Sequence, residues 1–306
     1  MVGLVADDLT GACDSAAPFL AGGRVLVAIW PALVPQAAAC LAISTETRDA
    51  TPEEARTRAR QAVHLLLTAG AQRIFRKVDS RLRGQVREEL AGALDAWPGR
   101  CLLAPALPAE GRLTVGGRQL MEDGEAIDIA TILNGLDRVD IRDASTDAEL
   151  AAVAAEVAAD RGLMPAGTAG LAAVLAPALG LAGAAAPGWP PCPQPLALVG
   201  SKTEVSAGQV EAARAAGWEV RRRARDDGVE LGDHAALFLS GGGTASGVLA
   251  DLGATALELV GEALPRVPVG RLLDGPHAGL VVALKSGGFG GPDAIATALA
   301  RLSAGG

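Results

Sequence analysis

The stretch VGLVADDLTGACD at residues 2–14 sets the reading of the whole chain. A short apolar run passes directly into two carboxylates, Asp7 and Asp8, and then into Thr10-Gly11. Such a run suits a strand buried on both faces. Polar groups at its carboxyl end suit an α/β sheet, whose ligands gather outside the strand ends. The pattern recurs downstream. Residues 14–21 read as a helix, and residues 24–30 and 41–44 as strands, the latter followed by the polar loop Thr45-Glu46-Thr47-Arg48. Thr51-Pro52-Glu53-Glu54 opens a helix with a capping hydroxyl, a proline in the first turn and early acids, and that helix runs to about residue 69. Residues 73–78 form another strand before Asp79-Ser80-Arg81-Leu82-Arg83-Gly84, a helix follows to residue 96, and residues 101–104 are again a strand. This alternation predicts mostly parallel sheets with helices on both faces.

The segment GAAAPGWPPCPQP, residues 183–195, holds five prolines and is the best domain boundary. It divides the chain into residues 1–182, a linker, and residues 196–306. Beyond it, LALVGS (196–201), LFLSGGGTA (237–245) and LVVALKSGGFGG (280–291) are three apolar runs that each end in small polar residues. The expected fold class is α/β, with two α/β domains.

Half of the 306 residues are apolar, 20% are charged, and the net charge is −8. Those values allow a large core and argue against intrinsic disorder, a nucleic-acid partner or a membrane span. The cysteines Cys13, Cys40, Cys101 and Cys192 form no CxxC pair and have no histidine cluster beside them. A zinc site or disulfide framework is not expected, and a reducing cytoplasm fits best. The N-terminus lacks the basic start of a signal peptide. His64, His234 and His277 are assigned no catalytic role, and the basic run at residues 221–225 reads as a solvated loop.

Two constellations carry chemistry. In the second half, Gly200-Ser201-Lys202-Thr203, Ser240-Gly241-Gly242-Gly243-Thr244 and Lys285-Ser286-Gly287-Gly288-Phe289-Gly290 each follow an apolar strand. Glycines there let backbone N–H groups approach phosphate oxygens, and the next helix N-terminus favours the anion. The three together point to a nucleotide or phosphate site, although none has Walker A or GxGxxG spacing. In the first half, Asp7, Asp8, Arg48, Lys77, Asp79, Ser80 and Arg83 lie just beyond strand ends that one sheet would bring together. Cations would pair with a carboxylate, and an aspartate would accept bonds from hydroxyls or take a proton. A haloacid-dehalogenase-type phosphatase needs DxDxT, but its nucleophile position here is Ala6.

Taken in order, VADDLTGACD, TETR, KVDSRLRG, PALPAEGR, DASTDAEL, AGTAGLA, VGSKTEVSAGQ, GGGTASGVL and KSGGFGGPD resemble the four-carbon acid sugar kinase family over nearly the whole chain. KVDS is closer to its threonate kinase branch than to its 3-oxo-tetronate branch. The resemblance implies an N-terminal acid-sugar domain and a C-terminal ATP domain flanking a cleft. It also implies transfer of the γ-phosphoryl group to a terminal hydroxyl, with Mg²⁺ expected and no protein metal site assigned. Asp8, Lys77 and Asp79 become the catalytic candidates. Asp7, Asp8, Arg48, Lys77, Val78, Asp79, Ser80 and Arg83 would contact the acid, and Ser201, Gly241, Gly242, Gly243, Thr244, Lys285, Ser286, Gly287 and Gly288 would contact ATP. A homodimer is compatible with it. Family members are usually longer, the segment between Gln209 and Ala235 being compressed here, and their GGDTA loop reads GGGTA, so Gly243 replaces a carboxylate. That replacement motivates an alternative: a weak or inactive homologue that binds nucleotide or sugar acid without transfer.

Overall fold

The computed structural model describes residues 1–32, 37–224 and 227–306. The first half contains β1 (Val2–Ala6), α1 (Leu9–Ala16), β2 (Val25–Ile29), β3 (Cys40–Ser44), α2 (Pro52–Thr68), β4 (Arg73–Lys77), α3 (Val86–Ala96) and β5 (Arg100–Ala104). A small antiparallel ribbon follows, β6 (Leu113–Val115), β7 (Arg118–Leu120) and β8 (Ala126–Asp128). Then come α4 (Ile129–Leu133), β9 (Val139–Ile141), α5 (Asp147–Ala159), β10 (Leu163–Gly167) and α6 (Ala169–Ala178). The second half holds β11 (Leu196–Val199), α7 (Glu204–Ala215), β12 (Val220–Arg222), β13 (Ala236–Ser240), α8 (Gly242–Asp251), β14 (Ala256–Leu264), β15 (Val267–Leu272), β16 (Val281–Lys285) and α9 (Ala294–Ala304).

A single 13-stranded sheet carries both halves in the order β12-β11-β13-β16-β15-β14-β2-β3-β1-β4-β10-β5-β9. Its pairings are parallel within each half. They become antiparallel where β14 meets β2, β14 meets β15, and β15 meets β16. Three successive reversals make β16, β13 and β11 run opposite to the parallel strands of the first half. Register shifts between Leu259 and Gly261 and between Glu262 and Leu264 interrupt the β14–β15 ladder at this junction. Such irregularities bend and twist a strand pair.

Strand β1 is buried throughout. Leu4 packs into the cluster on one face of the sheet and Val5 into the cluster on the other, both fully buried. Each contributes about 1.5–3 kcal/mol by leaving water. Thr51 caps α2 with the full capping box, its hydroxyl accepting from Glu54 N and the Glu54 carboxylate accepting in return from Thr51 N. The four cysteines are buried and unpaired with one another. No helix among the described residues is long and apolar enough to cross a membrane.

Two local expectations are corrected. The first helix starts at Leu9, not near residue 14, because the Asp8 carboxylate accepts from Gly11 N at 3.0 Å and caps it. Residues 221 and 222 of the basic segment belong to the edge strand β12 rather than a loop, with Arg221 bound to Glu219 and Arg222 to the Ser201 carbonyl at 2.7 Å. Arg225 lies outside the described residues.

Candidate active site

The carboxyl ends of β1, β3, β4, β10, β11, β13 and β16 open onto one cavity of about 630 Å³. Asp8, Arg48, Lys77, Asp79, Ser80 and Arg83 line it from the first half. Ser201, Gly241–Thr244 and Ser286–Gly288 line it from the second. Three candidates stand outside its wall. Asp7 is buried behind Arg48, Val78 points into the core, and Lys285 lies beneath its own loop.

Asp8 caps α1 and is pinned on three sides. Its Oδ1 accepts from Gly11 N at 3.0 Å and pairs with an Arg48 nitrogen at 3.1 Å, and its Oδ2 accepts from the Thr10 hydroxyl at 3.0 Å. Arg48 is correspondingly saturated: besides Asp8, it meets Asp7 at 2.9 Å and Asp79 at 3.3 Å. It therefore orders the carboxylates and is not a free cation for a ligand. Burial pushes the Asp7 carboxyl up, but the adjacent Arg48 and Lys77 charges outweigh it and hold it below the usual value. Asp79 is opposed by burial too, and is held well below the carboxylate range by Arg83 and Arg48. Its oxygens accept from the backbone N–H of Arg81 at 3.0 Å and from the Arg83 guanidinium at 2.8 and 2.9 Å. Asp79 thus organises the loop after β4.

Lys77 differs from every other cation in the cavity. It is only 7% exposed, yet no described residue gives its Nζ a hydrogen bond or an ion pair. A Cβ placed on Gly11 would stand 2.4 Å from Asp8 Oδ1 and 2.7 Å from Lys77 Nζ. The ammonium and the carboxylate therefore flank the same small space, within about 5 Å of each other.

In the second half the loops are stitched from behind. Lys285 Nζ donates to the Ser286 and Gly287 carbonyls at 3.1 and 3.0 Å, and burial pushes its pKa down to about 8. Gln209 donates to the carbonyls of Phe289, Gly290 and Gly291. Gly241 N binds the Lys285 carbonyl at 3.0 Å, and Ser201 Oγ accepts from the Ser206 hydroxyl at 2.7 Å. Thr203 caps α7 through Ser206 N. Helix α8 starts at Gly242 with no side chain capping it, so its first N–H groups face the cavity as a ready anion site.

The two walls meet at Asp8 and Gly242. A Cβ on Gly242 would lie 2.4 Å from Asp8 Oδ2 and 3.2 Å from its carboxyl carbon. Because Asp8 is held by Gly11, Thr10 and Arg48, it cannot swing aside cheaply. Gly242→Ala is expected to lower kcat about 10²-fold through misplacement of Asp8, and to cost about 1–3 kcal/mol of stability for the crowding it introduces. Steady-state kinetics beside a thermal melt checks this, and wild-type turnover would show that the close approach is not needed.

Sequence reasoning missed Arg112, Arg266, Glu122 and Phe289, all of which line the cavity. Arg266, at φ +67° in the β14–β15 turn, binds Asp14 at 2.7 Å and Glu110 at 3.1 Å and lies 4.0 Å over the Phe289 ring. The Arg112 guanidinium lies 5.4 Å from the same ring. Only PALPAEGR, among the quoted motifs, contained a hint of Arg112.

Comparison with known proteins decides the family. Residues 2–131 match the model of a sugar-binding N-terminal domain, and residues 227–295 that of a nucleotide-binding C-terminal domain. A D-threonate kinase of Bordetella bronchiseptica is 31% identical over 96% of this chain and 95% of its own length. The chain belongs to the four-carbon acid sugar kinase family. A second D-threonate kinase, from Cupriavidus necator, is 37% identical over 37% of this chain and 28% of its own. A solved structure from B. bronchiseptica, a domain-swapped dimer with bound citrate, covers 97% of this chain and 98% of its own at 26% identity and a TM-score of 0.54. A Haemophilus influenzae structure covers 98% of this chain and 100% of its own with a TM-score of 0.73. At 19% identity it shows the shared fold. The alignment with the first kinase runs over 395 positions, so that relative carries segments this acid sugar kinase family member lacks.

Among the described residues no group of three His, Cys, Asp or Glu side chains could hold a metal ion. The cavity therefore offers no protein cage for a divalent cation. Mg²⁺ commonly binds through substrate phosphates, water and one or two carboxylates.

Proposed function

We propose that this chain is an ATP-dependent kinase that phosphorylates the terminal hydroxyl of a four-carbon sugar acid of the threonate or erythronate type. One observation carries the proposal: Asp8, the cavity-lining carboxylate that caps α1, stands between the Lys77 ammonium, which no described residue pairs, and the N-terminus of α8, which no described side chain caps. The names of the relatives support the sugar-acid class, and a nucleotide-binding domain supports ATP as the donor.

In this mechanism the acceptor hydroxyl donates its proton to Asp8 as the new O–P bond forms. The bond between the γ-phosphorus and the bridging oxygen breaks, and ADP leaves with that oxygen's electron pair. Lys77 and the first N–H groups of α8 offset charge on the transferring phosphoryl group. Arg48, itself anchored by Asp7 and Asp79, holds Asp8 in place together with Gly11 N and Thr10. Phosphoryl transfer depends mainly on such positioning and charge neutralisation. Mg²⁺ would enter bound to the nucleotide, and no step is assigned to it. Residues 1–182 would form the acid-sugar domain and residues 196–306 the nucleotide domain, joined by residues 183–195. A cytoplasmic enzyme and a homodimer fit this proposal, the latter supported by the dimeric relative.

The test is ADP release with MgATP on D-threonate, L-threonate and D-erythronate. Turnover on at least one is expected, with faster turnover in Gly243→Asp if the loop carboxylate of other members aids the transfer. No ADP release across the panel would overturn the proposal.

A further inference from the structure

Every described guanidinium lining the cavity is already engaged by carboxylates, and one of those carboxylates is placed to leave. Arg112 is 8% exposed and fixed from behind. Its backbone exchanges hydrogen bonds with Leu107 at 2.7 and 3.2 Å, and its Nη1 donates to the Ser80 hydroxyl. The remaining edge, Nε and Nη2, faces Glu122 at 3.3 and 3.2 Å in the two-pronged geometry a guanidinium offers any carboxylate. Glu122 has no comparable anchorage. Its side chain is 47% exposed and sits on a turn between β7 and β8 held by the Met121 N to Glu125 O bond at 2.8 Å and the Gly124 N to Met121 O bond at 3.1 Å. Its other cation, Arg81, is 3.6 Å away and shared with Asp123 and Glu125.

The acceptor must place two ends at once. Its terminal hydroxyl belongs beside Asp8, and Lys77 flanks that same space, so Lys77 serves the transferring group. The carboxylate, at the far end of a four-carbon chain, needs a different cation. Lys77 and Ser80 belong to one short segment, and Ser80 passes the path directly to Arg112.

We propose that Arg112 receives the carboxylate of the acceptor, and that Glu122 is an internal stand-in that holds this edge of Arg112 until the acceptor displaces it. The inference rests on the sugar-acid reading above and adds the residue that selects acids over neutral polyols. The Arg112 hydrogen bond holds the Glu122 carboxyl below its usual value, so the stand-in is ionised at neutral pH. The Glu122 end of the pair is half exposed, so water can take up its carboxylate when another carboxylate displaces it, which makes it replaceable.

Isothermal calorimetry of D-threonate and of the uncharged erythritol, on wild type, Glu122→Gln and Arg112→Lys, tests this, with KM measured in parallel. Removing the competing charge in Glu122→Gln is expected to tighten threonate binding roughly three- to fivefold. Arg112→Lys, which keeps the charge but loses the fork, is expected to weaken it about tenfold or more. Erythritol binding should respond to neither. Unchanged or weaker threonate binding in Glu122→Gln would overturn the inference, as would equal effects on erythritol. Threonate binding that responds as expected without ADP release would remove the kinase proposal and leave this inference standing. A wild type that binds no threonate removes both.

Discussion

Asp8→Asn is expected to lower kcat roughly 10³-fold while leaving the fold intact, the scale of a lost general base. The substitution separates two duties of one side chain. As the cap of α1, Asp8 accepts from Gly11 N at 3.0 Å, and asparagine caps helices about as well. As the group beside Lys77 and Gly242, it must also take a proton from the attacking hydroxyl, and an amide oxygen cannot. A melting temperature near wild type with turnover reduced a thousandfold is the expected pair of results. Turnover within threefold of wild type would place the base elsewhere. Asp79 is the less suitable candidate, because Arg83 and Arg48 hold its carboxyl well below the usual carboxylate range and its oxygens organise the loop after β4.

Glu89→Ala is expected to destabilise the protein by about 3–5 kcal/mol, the cost of leaving a buried charge unpaired. The fully buried Arg76 lies in β4 next to its last residue, Lys77, and its guanidinium is held by the Glu89 carboxylate and by the Val5 carbonyl at 2.8 Å. Burial pushes the Glu89 carboxyl up, against the Arg76 charge that lowers it. Glu89 also accepts from Thr47, whose hydroxyl in turn meets Thr45 at 2.7 Å, so the pair supports the loop that presents Arg48. Denaturant unfolding of Glu89→Ala measures the loss. The double variant Arg76→Met with Glu89→Leu is expected to recover most of it, since a packed apolar pair carries no desolvation cost. A loss below 1 kcal/mol in the single variant would mean that solvent reaches Arg76 after all.

Much of the fold was legible because it is written locally. Apolar runs bounded by glycine, and caps such as Thr51 with Glu54, depend on neighbours a few residues apart. The candidate site was legible in the same way wherever a strand end carried its own chemistry, as at Asp8, Lys77, Ser201 and Gly242. The three-residue strands β6 to β8 escaped, being too short to show alternation. The roles of Arg48 and Lys285 were also hidden. Residue type announces a cation, but only its partners show that Arg48 is saturated and that Lys285 holds carbonyls.

By itself, the sequence determined an α/β chain, with one set of strand ends rich in carboxylates and cations and another rich in glycine and hydroxyls. It also carried the family, through the order of its motifs. That the two sets face one another was decided by the tertiary structure. The hairpin of β14 and β15 reverses the second half of the sheet, and its register shifts lie where the sheet must turn for opposed strand ends to share one cavity. The contacts that close that cavity join residues far apart in the chain: Arg266 reaches Asp14, and Gly242 meets Asp8. The physical reason is range. Hydrophobic period and capping act over a few residues, whereas ion pairs and close backbone approach depend on where the folded chain brings distant segments.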